Sequence, residues 1–209
     1  MGVTEIELAY ELEKYGKKNG AEALAFEPIV AFGKNAAAPH HLSSGQKIGS
    51  STGSGRSRNN FLLLDFGMKI AGYHTDFTRT LFLGRPNKKQ EAVYNIVLRA
   101  QQRMIAQARA GVPAKLVDSA GRDYIAQMGY GDNYTHNGGH GVGLEIHEPP
   151  NFSPKSEDVL QENMVVTAEP GIYLEGEFGV RIEDMVRVTS RGPQVLSKIG
   201  KRFKEMIIN

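Results

Sequence analysis

"FLLLDFGMKIAGYHTDFTRTLFLG", residues 61–84, is the stretch of sequence that decides the fold. It holds three runs rich in apolar, aromatic and β-branched residues, at residues 61–66, 68–73 and 78–84. Runs of this length and composition, joined by short turns that contain glycine, are typical of strands in hairpins. The stretch therefore predicts a series of consecutive strands.

The segments on either side of these strands predict helices. Thr4 and Glu7 form a capping-box pattern, and apolar residues then recur at helical spacing until Gly20. Helical periodicity returns over residues 88–109 and 115–128, and a glycine follows each of these segments. These patterns predict three helices.

Further strands are predicted upstream and downstream, at residues 28–33, 142–148, 164–174 and 180–190. Long helices separated by runs of hairpins, without a regular alternation of strand and helix, favour the α+β class. Residues 2–20 and 111–129 share a Gly-Val start, a closing glycine and a tyrosine in register, which suggests two related halves. We expect one domain over residues 1–209, with a flexible loop insertion at residues 43–60, which are rich in glycine, serine and asparagine.

Composition excludes several classes of protein. The chain has 209 residues, a formal net charge of +2 and no cysteine. The lack of cysteine excludes disulfides, thiolate nucleophiles and cysteine-based zinc sites. The small net charge and the absence of a basic stripe predict no nucleic-acid partner. Because we find neither a long apolar run nor a signal-peptide pattern, we predict a cytoplasmic protein with no membrane partner.

Acidic residues and one histidine interrupt segments that are otherwise apolar. The five positions are Asp65, Asp76, His140, Glu169 and Glu183. A carboxylate at the end of a buried strand is costly unless it is paired or bound to a cation. Four such carboxylates together with a histidine favour a single cause, and a bound metal accounts for all of them.

The types of these side chains narrow the choice of metal. Carboxylates and imidazole without a thiolate suit Mn²⁺, Co²⁺ or Zn²⁺. The charge of four carboxylates matches two divalent cations better than one. Two metals about 3.5–4 Å apart can ionise a bridging water and stabilise a developing oxyanion, so the pattern predicts a hydrolase.

Each of these residues taken alone also has a structural interpretation. A single buried acid is more often paired with an arginine, such as Arg79 or Arg181, or placed in a turn. A single His136 or His147 is more often a hydrogen-bonded loop or core residue. The metal hypothesis therefore depends on the joint pattern.

The order of the motifs resembles the signature blocks of the pita-bread metallopeptidases. The blocks are "IVAFGKNAAAPHH" (29–41), "LLLDFG" (62–67) with "GYHTDFTRTLFLG" (72–84), "THNGGHGVGLEIHEPP" (135–150), "VVTAEPGIYL" (165–174) and "GVRIEDMVRVT" (179–189). The forms "GHGVGLEIHE", "EPGIY" and "RIED" resemble the Xaa-Pro branch, which contains aminopeptidase P and prolidase. The resemblance implies two pseudo-symmetric halves around a strongly curved antiparallel sheet, with helices on the outside.

The resemblance also implies a role for each matching residue. The ligands of two divalent ions, with Mn²⁺ expected first and Co²⁺ or Zn²⁺ as alternatives, would be Asp65, Asp76, His140, Glu169 and Glu183. Glu169 would also relay a proton, while His40 and His147 would stabilise the tetrahedral intermediate. The substrate would contact His136, Tyr173 and Arg181.

The implied activity is hydrolysis of the peptide bond N-terminal to proline in short peptides, through a metal-bridging hydroxide. The enzyme would be an Xaa-Pro aminopeptidase or dipeptidase, and by analogy with the family a homodimer. Alternatives on the same fold are a peptidase like methionine aminopeptidase, a non-catalytic peptide-binding module and a metal-independent hydrolase of the creatinase type. The last two would not need all five ligands.

The chain departs from the usual pattern of the branch in three ways. We expect a catalytic domain alone, without the separate N-terminal domain that relatives of this branch carry. The loop before Asp65 is expected to be longer than usual and to alter the rim of the cleft. Small substitutions at Asn137, Gly138 and Ala168 leave every expected ligand in place.

Overall fold

Three α-helices and fourteen short strands form the described part of the computed structural model, residues 2–49 and 59–208. The helices are α1 (Glu5–Lys18), α2 (Lys88–Gln107) and α3 (Ala114–Gln127). The strands are β1 (Ala23–Leu24), β2 (Ile29–Phe32), β3 (Asn60–Asp65), β4 (Met68–Ile70), β5 (Tyr73–His74), β6 (Thr78–Leu83), β7 (Gly139–Gly141), β8 (Glu148–Phe152), β9 (Val165–Ala168), β10 (Gly171–Leu174), β11 (Phe178–Arg181), β12 (Asp184–Arg187), β13 (Gln194–Val195) and β14 (Ile207–Ile208). This mixture confirms the predicted α+β class.

The ends of the predicted helices agree with the structure to within two residues. Thr4 caps α1, and both hydrogen bonds of the predicted capping box with Glu7 are present. Asn87 caps α2 through a second capping box, in which Gln90 takes the place of the glutamate. Gly20 and Gly129 follow α1 and α3 with φ angles of 96° and 85°, which lie in the left-handed region that glycine adopts without a steric penalty.

The strands form two main sheets. One sheet has the order β14-β6-β3-β2 and the other has the order β13-β12-β9-β7-β8. Neighbouring strands run antiparallel except for β14, which lies parallel to β6. Strand β3 lies inside the first sheet and β9 inside the second. Strand β3 ends at the predicted metal ligand Asp65, and β9 ends one residue before the predicted ligand Glu169.

Helix α2 packs against both halves of the molecule. Its N-terminal part, with Val93 and Val97, belongs to the core cluster that also contains Phe61 and Phe82. Its C-terminal part, with Met104, belongs to a second cluster under the other sheet. The helix therefore joins the two cores.

The predicted repeat agrees with the structure around α1 and α3. The capping residue of each helix makes an isolated β-bridge to a distant segment, Thr4 with Lys47 and Pro113 with Val159. Within the described residues, no helix has the length and apolar character needed to span a bilayer.

Four of the predicted strands are wrong in detail. Residues 164–174 form two strands of different sheets, β9 and β10, and residues 180–190 contain the end of β11 and all of β12. Residues 142–147 form an irregular loop, and β8 begins only at Glu148, because β7 is bulged after His140 and the chain must reverse before it can pair. Residues 68–73 form the hairpin β4–β5 and its turn, in which Ala71 and Gly72 have positive φ angles.

Only the ends of the predicted flexible loop at residues 43–60 can be compared with the structure. Residues 44–48 are hydrogen-bonded to the start of α1, with the backbone N–H of Glu5 donating to Gln46 and that of Ile6 donating to Ser44. Asn60 already belongs to β3. The rest of the loop, residues 50–58, lies outside the described residues.

Candidate metal centre

The ends of four strands bring the predicted acids together. Asp65 is the last residue of β3, and Glu169 follows β9 directly. Asp76 lies two residues before β6, and Glu183 lies one residue before β12. The backbone N–H of Glu183 donates to the carbonyl of Thr78 at 3.2 Å, which joins the two sheets at this point.

These side chains surround one cavity of about 170 Å³. Its wall contains all five predicted metal ligands together with His40, His136, His147 and Arg181. Asp76, His140 and Glu183 each present a possible ligand atom, and the three atoms lie within 4.8 Å of one another. The structure thus assembles five predicted ligands that lie up to 118 positions apart in the sequence.

His140 is held in the orientation that a metal ligand needs. Its Nε2 lies 3.4 Å from Oδ2 of Asp76 and 3.3 Å from Oε1 of Glu169. Its Nδ1 lies 2.9 Å from the carbonyl oxygen of Gly141. Because a carbonyl can only accept, Nδ1 carries the hydrogen, and in the neutral ring Nε2 presents its lone pair to the cavity.

Two threonines hold the glutamates. The hydroxyl of Thr78 donates to Oε2 of Glu183 at 2.6 Å, and the hydroxyl of Thr167 donates to Oε1 of Glu169 at 3.0 Å. Thr167 also accepts the backbone N–H of His140. Sequence reasoning missed both threonines. Thr78 follows Asp76 by two residues and Thr167 precedes Glu169 by two, a spacing that puts side chains on the same face of an extended chain.

Two carboxylate oxygens at the centre are buried without a hydrogen-bond partner. They are Oδ1 of Asp65 and Oε1 of Glu183. The other oxygen of Asp65 accepts a hydrogen bond from Nη2 of Arg181 at 2.5 Å. Since a buried acceptor without a partner is unfavourable, these oxygens fit the coordination of a cation.

The electrostatics of the cluster also fit a cation. Burial raises the pKa of Asp76, raises that of Glu169 to about 7, and raises that of Glu183 well above its usual range. Burial lowers the pKa of His140, but its hydrogen bond with Asp76 and the charge of Glu169 outweigh this effect and raise it to about 9. Raised pKa values mean that these groups bind protons more readily than usual, and a divalent cation would compete with those protons.

The predicted substrate contacts form a second network beside the acids. Nη1 of Arg181 donates to the hydroxyl of Tyr173 at 2.8 Å, and this hydroxyl lies 2.8 Å from Nε2 of His136. The Nδ1 of His136 lies 2.7 Å from the carbonyl of Asn137 and therefore carries the hydrogen, so Tyr173 donates to Nε2. Burial and the charge of Arg181 lower the pKa of His136 to about 3, which keeps the ring neutral.

Tyr173 and Arg181 are both buried, and only Arg181 lies on the cavity wall. Tyr173 is buried and contributes no part of the cavity wall, so it supports His136 and Arg181 from behind. Arg181 is also buried, and its N–H groups donate to Thr78, Pro39, Tyr173 and Asp65. Most N–H donors of the Arg181 guanidinium are thus already bonded to groups of the protein.

His40 and His147 lie on the wall of the cavity and are exposed to solvent. The ring of His147 packs edge-to-face against that of His140, with centroids 4.4 Å apart. Burial and the neighbouring His140 lower the pKa of His147, which favours a neutral ring with one N–H donor. Both histidines can therefore reach a molecule bound in the cavity.

Phe26 and Ile29 form an apolar part of the same wall. Sequence reasoning missed both, because isolated apolar residues near a short strand give no signal that distinguishes a pocket from a core. Their presence gives the cavity an apolar side next to the charged one. A ligand with both an apolar side chain and a polar backbone fits such a surface.

Comparison with known proteins identifies similar chains. A family model described as metallopeptidase family M24 matches residues 1–190. The chain is 45% identical over 202 residues to the Xaa-Pro dipeptidase of Pyrococcus furiosus, an alignment that covers 97% of this chain and 56% of that relative.

Solved structures give the same result. The X-Pro aminopeptidase from Thermotoga maritima MSB8 superposes with a TM-score of 0.91 at 40% identity, over 99% of this chain and 56% of that one. The Xaa-Pro dipeptidase from Bacillus anthracis superposes with a TM-score of 0.92 at 43% identity, over the same shares of the two chains. The likeness confirms the predicted pita-bread fold. The chain spans just over half the length of these relatives.

Proposed function

We propose that this chain, which belongs to metallopeptidase family M24, carries the catalytic site of a metal-dependent exopeptidase that hydrolyses the bond N-terminal to proline. The observation that carries the proposal is the convergence of four carboxylates and His140 on one cavity. The similar proteins named Xaa-Pro dipeptidase and X-Pro aminopeptidase support the choice of substrate.

We propose that the cavity holds two divalent ions, with Mn²⁺ as the first candidate. Their ligands would be Asp65, Asp76, His140, Glu169 and Glu183. The charge of four carboxylates supports two ions, and the oxygen-rich donor set suits Mn²⁺. When bound, such a pair activates a water molecule and polarises the scissile carbonyl.

The protein's own residues would move the proton and hold the substrate. Glu169 lies on the cavity wall beside His140, and its carboxylate would accept a proton from the attacking water and deliver it to the leaving nitrogen. His40 and His147 lie where their ring N–H groups can donate to the substrate carbonyl and to the oxygen of the tetrahedral intermediate. Both tasks require side chains that change position little during the reaction.

An Xaa-Pro bond suits a site of this kind. Its nitrogen carries no hydrogen, so a peptidase that recognises the amide N–H loses that contact. Here the proposed recognition uses donors to the carbonyl and an apolar wall formed by Phe26 and Ile29. Arg181 lies on the same wall and would attract a free carboxylate on the proline side when bound cations offset the charge of its partner Asp65.

The experiment that tests the function combines metal content with peptide cleavage. Purified protein is equilibrated with Mn²⁺, its metal is measured by elemental analysis, and Ala-Pro, Ala-Pro-Ala and Met-Ala-Ser are offered as substrates. We expect about two ions per chain by the charge argument and cleavage of a proline peptide. Preference for Ala-Pro indicates a dipeptidase, and preference for Ala-Pro-Ala indicates an aminopeptidase.

A matched pair of variants sharpens this test. Glu183→Gln removes a proposed ligand, whereas Glu145→Gln changes an exposed carboxylate that does not line the cavity. Only the first is expected to lose metal and activity. Cleavage of Met-Ala-Ser alone would favour the methionine aminopeptidase alternative, and peptide binding without metal uptake would favour a non-catalytic binding module.

A further inference from the structure

Arg79 and Asp184 form a buried ion pair directly behind the metal centre. Nη2 of Arg79 donates to Oδ1 of Asp184 at 2.6 Å, and both side chains are almost fully buried. Arg79 directly follows Thr78 in the sequence, and Asp184 directly follows Glu183, so each member of the ion pair is next to a residue of the site. Neighbouring residues of an extended chain point to opposite faces, so the ion pair and the Thr78–Glu183 pair lie on opposite sides of the same backbone.

The guanidinium of Arg79 also holds this backbone itself. Its Nη1 donates to the carbonyl of Thr78 at 2.9 Å and to the carbonyl of Glu183 at 2.5 Å. These two carbonyls belong to segments of different sheets, one at the start of β6 and one just before β12. One planar group thus fixes the distance between the two segments that carry Thr78 and Glu183.

The remaining donors of Arg79 bind the C-terminal segment, residues 194–208. Its Nη2 also donates to the carbonyl of Ile199 at 3.0 Å, and its Nε donates to the carbonyl of Gly200 at 3.2 Å. All five N–H groups of the guanidinium are therefore used. The family match ends at residue 190, so these contacts come from a segment that the match does not include.

Asp184 is tied to the same segment and to α2. Lys201 forms an ion pair with Oδ2 of Asp184, and Nε2 of Gln101 donates to the same oxygen at 2.8 Å. Two cations and one amide therefore surround a single buried carboxylate. Such a network is stable only when every member keeps its partner, so the loss of one member shifts the others.

We propose that Arg79 is a positioning residue for the metal centre, and that Lys201 of the C-terminal segment completes its support. The inference rests on the proposed function, since it assumes that Glu183 binds metal. Glu183 leaves the backbone at the point that Arg79 clamps, and its Oε2 is held by Thr78, whose carbonyl Arg79 also binds. Loss of the clamp would let the two segments separate and would misplace the Glu183 carboxylate.

Arginine is suited to this position in a way that lysine is not. The guanidinium is planar and directs its five donors in fixed directions, whereas an ammonium has three donors on a flexible stem. It also stacks on the ring of Phe77, at 4.2 Å from the centroid. Arg79→Lys keeps the charge that balances Asp184 but cannot bridge the two carbonyls and the C-terminal segment together.

The test measures Mn²⁺ affinity of folded protein by calorimetry, together with the thermal unfolding temperature. The variants are Arg79→Lys, Lys201→Met and Tyr94→Phe. The hydroxyl of Tyr94 donates to the carbonyl of Lys201 at 3.1 Å, so its removal loosens the same segment without touching Asp184. We expect Arg79→Lys to weaken Mn²⁺ binding about 10–100-fold, as loss of support behind a metal ligand does. Lys201→Met should weaken binding by less.

The control decides between positioning and general stability. Tyr94→Phe should lower the unfolding temperature and leave Mn²⁺ affinity unchanged at a temperature where the protein is folded. This inference alone would be overturned if wild type and Arg79→Lys bound Mn²⁺ with equal affinity. It would also be overturned if Tyr94→Phe lost as much Mn²⁺ affinity as Arg79→Lys. Failure of the wild type to bind Mn²⁺ would overturn the proposed function and this inference with it.

Discussion

Nη2 of Arg181 lies 2.5 Å from Oδ2 of Asp65, and both side chains are buried. The sequence assigns these residues to different tasks, the arginine to the substrate and the aspartate to the metal. In the structure they form one ion pair, with the free oxygen of Asp65 left for a cation. Burial lowers the pKa of Arg181, but the neighbouring Tyr173 and Asp65 outweigh this effect and raise it well above its usual range, so the pair keeps its positive member.

Arg181→Met tests the strength of this pair. The variant leaves Asp65 buried without its counter-charge, and breaking a buried pair costs about 3–5 kcal/mol. We expect the free energy of unfolding of the metal-free protein to fall by that amount, as measured in urea. Added Mn²⁺ should recover more stability in the variant than in the wild type, because the cation replaces the lost positive charge beside Asp65.

Arg187→Met is the control for that experiment. Arg187 is exposed and bonds Asn163, so its loss should cost less than about 1 kcal/mol. If the two variants were destabilised equally, the buried pair would contribute nothing beyond a surface contact.

The effect of Mn²⁺ on stability should depend on pH. In the folded, metal-free protein the pKa of Glu169 is raised to about 7 and that of His140 to about 9. At these two groups the folded protein therefore binds more protons than the unfolded protein between about pH 4.5 and 9, and their contribution to the stability of the metal-free form falls as pH rises through this range. Mn²⁺ displaces these protons, so it binds more tightly at higher pH. We expect the rise in unfolding temperature on adding Mn²⁺ to be larger at pH 8 than at pH 6, and a constant rise would contradict the assignment.

Glu5→Gln should destabilise the protein through the network beneath α1. The Glu5 carboxylate is fully buried and accepts hydrogen bonds from the backbone of Phe32, from Ser44, from Asn35 and from His41. Burial opposes its ionisation, but the hydrogen bonds, led by that of Ser44, outweigh this effect and lower its pKa. We expect a loss of about 1–3 kcal/mol at pH 7, from urea unfolding.

The pH dependence of Glu5→Gln has a definite sign. Because the folded pKa of Glu5 lies below its usual value of about 4.5, its ionised form stabilises the protein above that pH. The difference between wild type and variant should shrink as pH falls through the folded pKa. Glu7→Gln serves as the control, since glutamine also completes a capping box and the pH 7 stability should hardly change. A difference that persists undiminished at low pH would show that shape, and not charge, is responsible.

His147→Ala should lower the rate and leave the metal in place. His147 lies on the cavity wall and is proposed to donate to the oxygen that becomes negative. Loss of one such donor costs about 100–1,000-fold in kcat. Steady-state kinetics with Ala-Pro and elemental analysis would measure both effects. The control is Leu144→Ala, which changes an exposed residue of the same loop and should keep the wild-type rate. Loss of Mn²⁺ from His147→Ala would instead identify His147 as a metal ligand.

Local sequence signals determined most of the secondary structure. The capping residues Thr4 and Asn87 begin two helices, and glycines end α1 and α3, because these signals act within one turn of the chain. One exception is residues 142–147. Their alternation of apolar residues predicts a strand, but a strand needs a partner, and the bulge after His140 turns the chain away before one can pair.

For the site, the sequence by itself determined which residues are chemically unusual, since acids inside apolar strands are costly wherever those strands lie. It could not assign partners to them. Arg181 meets Asp65 across 116 positions and Arg79 meets Asp184 across 105, and both contacts are set by how strands of different sheets pack together. Only the tertiary structure decided that Arg181 pairs with the proposed ligand Asp65, that Tyr173 stands behind the wall, and that Phe26 and Ile29 face the cavity. The reason is physical: side-chain type is local, whereas the neighbour of a buried side chain depends on every element packed around it.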